Sequence, residues 1–122
     1  MAEHNEKGSK AEDIIARYLS EQNMKILVRN LRFGHKEIDI ISMDGDKLAI
    51  VEVKARSIKN AETPSELLSN QKMRHLVDAA EAYIIKNNID YEVRFDFALV
   101  LFGPEGYTID YVKEAFIPGV NW

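Results

Sequence analysis

A chain of 122 residues with 46% apolar and 30% charged residues has the length and balance of one globular domain rather than a disordered segment. It has no cysteine, which excludes disulfides, thiolate catalysis and cysteine-ligated zinc. The net charge of −4 argues against an indiscriminate polyanion binder, yet the charge is uneven, because residues 25–59 carry eight Lys and Arg against five acids while residues 76–122 carry three against eight.

No apolar run approaches the roughly 20 residues of a membrane helix. The opening Met1–Lys7 stretch is polar and mixed in charge, unlike a signal peptide. The expectation is one domain over residues 1–122, in the cytoplasm and away from membranes.

In chain order, Ala11, Ile14, Ile15, Tyr18 and Leu19 recur at spacings of three and four and predict an amphipathic helix over about Lys7–Asn23. Lys25–Phe33 and Lys36–Met43 are rich in β-formers. Asp44-Gly45-Asp46 marks a hairpin turn, and Leu48–Ala55 is a dense strand. Thr63-Pro64-Ser65-Glu66 is a helix start with Pro in the first turn and a capping box, and predicts one helix to about Lys86, closed by Asn87-Asn88. Val93–Phe102 reads as a buried strand. Gly103-Pro104-Glu105-Gly106 reads as a turn, Tyr107–Val112 as a short last strand, and Ile117–Trp122 as an irregular tail. A helix between the third and fourth strands joins parallel neighbours. The order α-β-β-β-α-β-β therefore predicts an α/β fold with a mixed sheet, antiparallel at its start and flanked by helices.

The chemistry concentrates in Glu37-Ile-Asp-Ile-Ile41 and Val51-Glu-Val-Lys54. Alternate residues of a strand share a face, which groups Glu37 with Asp39 and Ile41, and Ile50 with Glu52 and Lys54. A turn at Gly45-Asp46 sets Asp39 opposite Glu52, whereas a turn at Asp44-Gly45 sets Glu37 opposite Glu52 with Asp39 diagonal. In either of these registers two carboxylates meet at roughly 5 Å between Cβ atoms and repel unless neutralised, whereas a three-residue loop without a bulge would separate them. A hard divalent cation such as Mg²⁺ or Mn²⁺ resolves the repulsion with oxygen ligands. A lysine two residues along the same face can orient water or stabilise charge on a phosphoryl group. The opposing reading is an ordinary amphipathic strand with its polar face in water. Against it, Leu48, Ile50, Val51 and Val53 are too apolar for an exposed edge, and buried ionised groups need partners.

Asp39 followed by Glu52-Val-Lys54 resembles the Asp…(Asp/Glu)-x-Lys pattern of restriction-endonuclease-like nucleases. The wider set resembles the YraN family of predicted endonucleases, related to archaeal Holliday-junction resolvases. That set comprises Gly8…Glu12, Arg29-Asn30-Leu31-Arg32, Glu37-Ile-Asp-Ile-Ile41, Val51-Glu-Val-Lys-Ala-Arg56, Lys72, Ala80…Tyr83 and Arg94-Phe-Asp96. It covers about residues 5–102. One departure is Lys36 directly before Glu37, where the family usually has glycine; here Gly34 lies two residues earlier. The resemblance implies a restriction-endonuclease-like fold and a Mg²⁺- or Mn²⁺-dependent phosphodiesterase acting on DNA, branched DNA included. In that reading Asp39 and Glu52 hold the metal with Glu12 assisting, Lys54 completes the catalytic set, and a homodimer pools two basic surfaces. The alternative is a non-catalytic nucleic-acid-binding or protein-interaction module that keeps the fold.

Several residues carry two readings. Glu12 is either a ligand beside the metal or the returning arm of a Ser9–Glu12 capping box. Lys72 falls on an apolar stripe with Leu76, Ala79 and Tyr83, as a snorkelling stem or a phosphate contact. Arg56 continues the Lys54 face, and Arg29 and Arg32 are phosphate contacts or surface charge. Arg94 and Asp96 share a strand face and pair with each other or with Arg56, in a structural role. His4, His35 and His75 form no ligand spacing and read as surface histidines.

Overall fold

The β-rich runs at 25–57 and 92–116 assemble into one five-stranded sheet in the order β1-β2-β3-β4-β5. The computed structural model of the chain describes residues 6–60 and 62–120, with Asn60 by its backbone alone. Readings on Met1–Asn5, among them His4, and on the last two residues of the tail lie outside the described residues. The elements are α1 (Glu6–Glu21), β1 (Lys25–Phe33), β2 (Lys36–Asp44), β3 (Lys47–Ser57), a 3₁₀ turn (Ile58–Asn60), α2 (Pro64–Leu67), α3 (Asn70–Lys86), β4 (Glu92–Gly103) and β5 (Gly106–Phe116). Only β3 and β4, joined through the helices, run parallel; the other three pairings are antiparallel. This is the expected mixed α/β architecture, compatible with the restriction-endonuclease-like fold. Among the described residues no helix is long and apolar enough to cross a membrane.

Both faces of the sheet are covered, which explains the unbroken apolar run Leu48–Val51 at the start of β3. Ala49, Val51 and Val53 of β3 point to one face, under Ile14, Ile15 and Leu19 of α1. Leu48 and Ile50 point to the other, under Leu76, Ala79 and Ala80 of α3. Burying a side chain of this size stabilises by about 1.5–3 kcal/mol, so the two helices are held chiefly by these stripes.

Three expectations need correction. The helix expected to run from Thr63 to Lys86 is two helices. Leu68 (φ −112°, ψ 87°) leaves helical geometry and buries its side chain, and Ser69 caps α3 by accepting the Lys72 amide at 3.1 Å. The capping box does form, with the Glu66 carboxylate accepting the Thr63 amide at 2.7 Å, but it starts only the single turn of α2. The last strand runs on to Phe116 rather than Val112. Its register against β4 shifts between Phe95 and Phe97, where Glu114 adopts a positive φ of 50°. The third correction is the Ser9–Glu12 capping box: the chain is already helical at Glu6, which puts Ser9 inside the helix.

The Gly45-Asp46 turn sets Asp44 opposite Lys47, and the ladder continues to Ile40↔Val51. This is the register that aligns Asp39 with Glu52. Alternation along β2 nevertheless breaks at Asp39, because Ile38 packs on the α3 face and Ile40 on the α1 face. The break lies where β1 places Asn30, at a φ of 54°, between the pairs Arg29↔Ile40 and Leu31↔Ile38.

Candidate metal and phosphate site

Beyond Ile40↔Val51 the backbone ladder between β2 and β3 stops, and a side chain takes over. The Val53 amide donates to Asp39 Oδ2 at 2.8 Å. That bond fixes one carboxylate in the gap between the parting strands. Glu52, one residue back on β3, is 2% exposed. Its Oε2 lies 3.4 Å from Lys72 Nζ and 3.6 Å from Lys54 Nζ. Its Oε1 is buried and accepts no hydrogen bond among the described residues. Ser69 thus has an indirect part in the site, because the cap it forms starts the turn of α3 that carries Lys72.

Burial pushes Glu52 up to about 8, and the nearby charge of Asp39 adds to the rise. Lys72 and Lys54 pull in the opposite direction by less. Burial also raises Asp39, against the Val53 amide, which favours its charged form.

A cleft of about 240 Å³ opens over this pair. Glu12, Asp39, Glu52, Lys54, Arg56 and Lys72 all line it, so six residues singled out in the sequence converge from α1, β2, β3 and α3. Glu37 lines it as well. Lys7, not foreseen, stands at its mouth beside Gly8; its only signal was its place on the turn that leads to Glu12.

Arg29 and Arg32 do not line the cleft but hold its acids. Arg29 Nη2 lies 2.8 Å from Asp13 Oδ1 and 3.7 Å from Glu12 Oε1, and Arg32 Nε lies 3.9 Å from Glu37 Oε2. Arg56 donates to its neighbour's Ala55 carbonyl at 2.8 Å and to Glu62 Oε1 at 3.3 Å. The His35 and His75 rings meet edge to face at 5.8 Å, away from the carboxylates.

Arg94 and Asp96 pair with each other and not with Arg56. Arg94 grips Asp96 through Nε (2.8 Å) and Nη2 (2.9 Å), and reaches Asp44 through Nη1 (2.9 Å). Asp96 also accepts the Tyr111 hydroxyl at 2.6 Å and the Glu114 amide at 3.0 Å. Burial and the Asp96 charge push the Tyr111 hydroxyl up, so it remains a donor. The network ties the β2–β3 turn and the β5 bulge to β4, the structural role expected of it.

The donors suit a hard divalent cation. Asp39 and Glu52 offer oxygen ligands on a common gap, and Glu52 Oε1 is buried without a hydrogen-bond partner among the described residues. Among the described residues no three His, Asp or Glu side chains form a ready metal cage. A cation here would take two carboxylates and fill its shell with water, the habit of Mg²⁺.

A mixed sheet clasped by helices, with paired acids and lysines where its central hairpin parts, makes this an α/β protein whose build is compatible with the restriction-endonuclease-like fold. The chain belongs to the uncharacterised protein family UPF0102, the YraN family, whose model matches residues 11–100. It is 42% identical over 118 residues to the UPF0102 protein of Bacteroides thetaiotaomicron, covering 97% of this chain and 98% of that one. It is 34% identical over 120 residues to the UPF0102 protein of Phocaeicola vulgatus, covering 98% and 99%. A third relative, from Flavobacterium johnsoniae, is 37% identical with 95% and 98% covered.

Proposed function

We propose that this protein is a divalent-metal-dependent phosphodiesterase that hydrolyses DNA, with Mg²⁺ or Mn²⁺ held by Asp39 and Glu52. The observation that carries the reading is the buried Asp39–Glu52 pair with Lys54 and Lys72 within 3.6 Å of Glu52. Asp39 and Glu52 would hold the cation, which when bound would supply polarisation of a phosphoryl oxygen and a lowered pKa for bound water.

The chain's own residues do the rest. Val53 holds Asp39 in its place through the backbone amide. Glu12, 7% exposed on the cleft wall, would accept hydrogen bonds from water held near the cation. Lys54 is one-third exposed, so its ammonium can leave Glu52 for water or a phosphoryl oxygen. Lys72 and Arg56 neutralise phosphates on either side of the scissile bond, Arg56 after release from the exposed Glu62 contact, which is worth about 1 kcal/mol or less. The basic rim of one chain is small, so a homodimer would widen it for branched DNA.

The test is cleavage of labelled branched and linear DNA with Mg²⁺ or Mn²⁺ by the parent and by Glu52→Ala and Lys54→Ala. Metal-dependent cutting by the parent, lost in both folded variants, is the expected result. No cutting of any substrate, with DNA still bound, would replace the enzyme by a non-catalytic binding module.

A further inference from the structure

Next to the cleft, on the α1 face of the sheet, lies a second hollow of about 410 Å³ floored by the Phe102 ring and walled by Glu6, Lys7 and Lys10. Lys10 Nζ stands over the ring at 5.7 Å from its centroid and Lys7 Nζ at 6.0 Å, both at cation–π distance, and both exposed stems are long enough to swing aside for a base. Tyr107, 45% exposed, meets Phe102 edge to face at 6.2 Å and extends the aromatic surface. Phe102 lies at the rim of the α1-side core, so part of its ring packs inward. The hollow is not isolated, because Lys7 lines both it and the catalytic cleft. Phe102 is the strand neighbour of Ser57, four residues along β3 from Val53 in the cleft floor. At about 3.3 Å per residue that is roughly 13 Å, a span of a few nucleotides.

We infer that Phe102, flanked by Lys7 and Lys10, is a stacking platform for an unpaired nucleobase, so the cleft's substrate is DNA with a single-stranded segment. Aromatic faces accept any base, and neighbouring lysines hold the backbone that leads away from it. In duplex DNA the bases are already stacked on one another and leave Phe102 nothing to bind. Among the described residues Glu6 is the one acid in the hollow, and it opposes the two lysines at its edge. The platform as part of an active site rests on the phosphodiesterase reading; base stacking itself does not.

Binding is measured by fluorescence anisotropy in EDTA, with labelled oligothymidylate and a blunt duplex of equal length. The variants are Phe102→Leu, which keeps apolar packing, Phe102→Trp, which keeps an aromatic face, and the surface change Lys10→Ala. Phe102→Leu should weaken single-strand binding roughly fivefold or more, the low end for one lost stack. Phe102→Trp should preserve it, duplex binding should not change, and Lys10→Ala should weaken single-strand binding in a salt-dependent way. A 2-aminopurine placed in the oligonucleotide should be quenched by the parent and not by Phe102→Leu. Equal single-strand binding by parent, Phe102→Leu and Lys10→Ala would overturn the inference, as would an absence of single-strand binding by the parent. If the parent cuts DNA with Mn²⁺ while Phe102→Leu binds normally, the platform fails and the enzyme stands. If nothing is cut but Phe102→Leu loses single-strand binding, the enzyme fails and the platform stands.

Discussion

Replacing Glu52 by glutamine should make the metal-free protein more stable at alkaline pH, although it removes two ionic contacts. The carboxyl rises from an ordinary 4.5 to about 8 on folding. A folded-state pKa above the unfolded one means that the fold prefers the protonated form. The stability is therefore fully present below about pH 4.5 and is lost as pH climbs through about 8. At about 1.4 kcal/mol per tenfold in proton affinity, the loss is on the order of 3–5 kcal/mol for the carboxyl pair. For a chain of this length that corresponds to roughly 10–20 °C in Tm. Glutamine keeps the shape and cannot ionise, while Lys54 and Lys72, each about one-third exposed, return to water at little cost. The assay is thermal unfolding in EDTA from pH 5 to pH 9, for the parent and Glu52→Gln. The parent curve should fall across that window and the variant curve should stay flatter, with Mn²⁺ at pH 8 raising Tm only in the parent. Parallel curves for the two proteins would refute the reasoning.

Asp96→Asn should destabilise the protein by about 3–5 kcal/mol, the cost of leaving the Arg94 charge without its buried partner, measured by denaturant unfolding. Tyr111→Phe, which removes one donor to the same carboxylate, should cost about 1–2 kcal/mol in that experiment. Ser69→Ala should cost about 1 kcal/mol through loss of the α3 cap. It should also weaken DNA binding more than a surface Ser20→Ala control does, because Ser69 sets the turn that carries Lys72; equal binding would detach Lys72 from substrate.

The strands were legible because their physics is local. β1, β2 and β3 fell within two residues of their expected ends, since β-formers and turn residues mark them directly. The Asp39–Glu52 alignment depended on a two-residue turn, and Gly45 at a φ of 64° provides it. What was illegible depended on distant partners. The break at Leu68 is a tertiary choice, a buried leucine in place of a continuous helical ladder. The extension of β5 past Val112 relies on Asp96 taking up the Glu114 amide, which no local pattern announces. Glu12 was ambiguous because a capping box and a cleft acid share a spacing, and only the helical geometry already present at Glu6 separates them. The contacts of Arg29 and Arg32 with Glu12 and Glu37 join residues on different elements or across a hairpin, beyond the reach of periodicity.

On the reading proposed above, Asp39 and Glu52 form a divalent-cation site. Isothermal titration of Mn²⁺ into the parent and into Asp39→Asn and Glu52→Gln, at pH 8 in buffers of different ionisation enthalpy, tests it most directly. The account predicts saturable binding by the parent, with proton release as the cation displaces the proton held by the carboxyl pair, and loss of that binding in both variants. Binding that survives in both variants, or no binding by the parent, would contradict it.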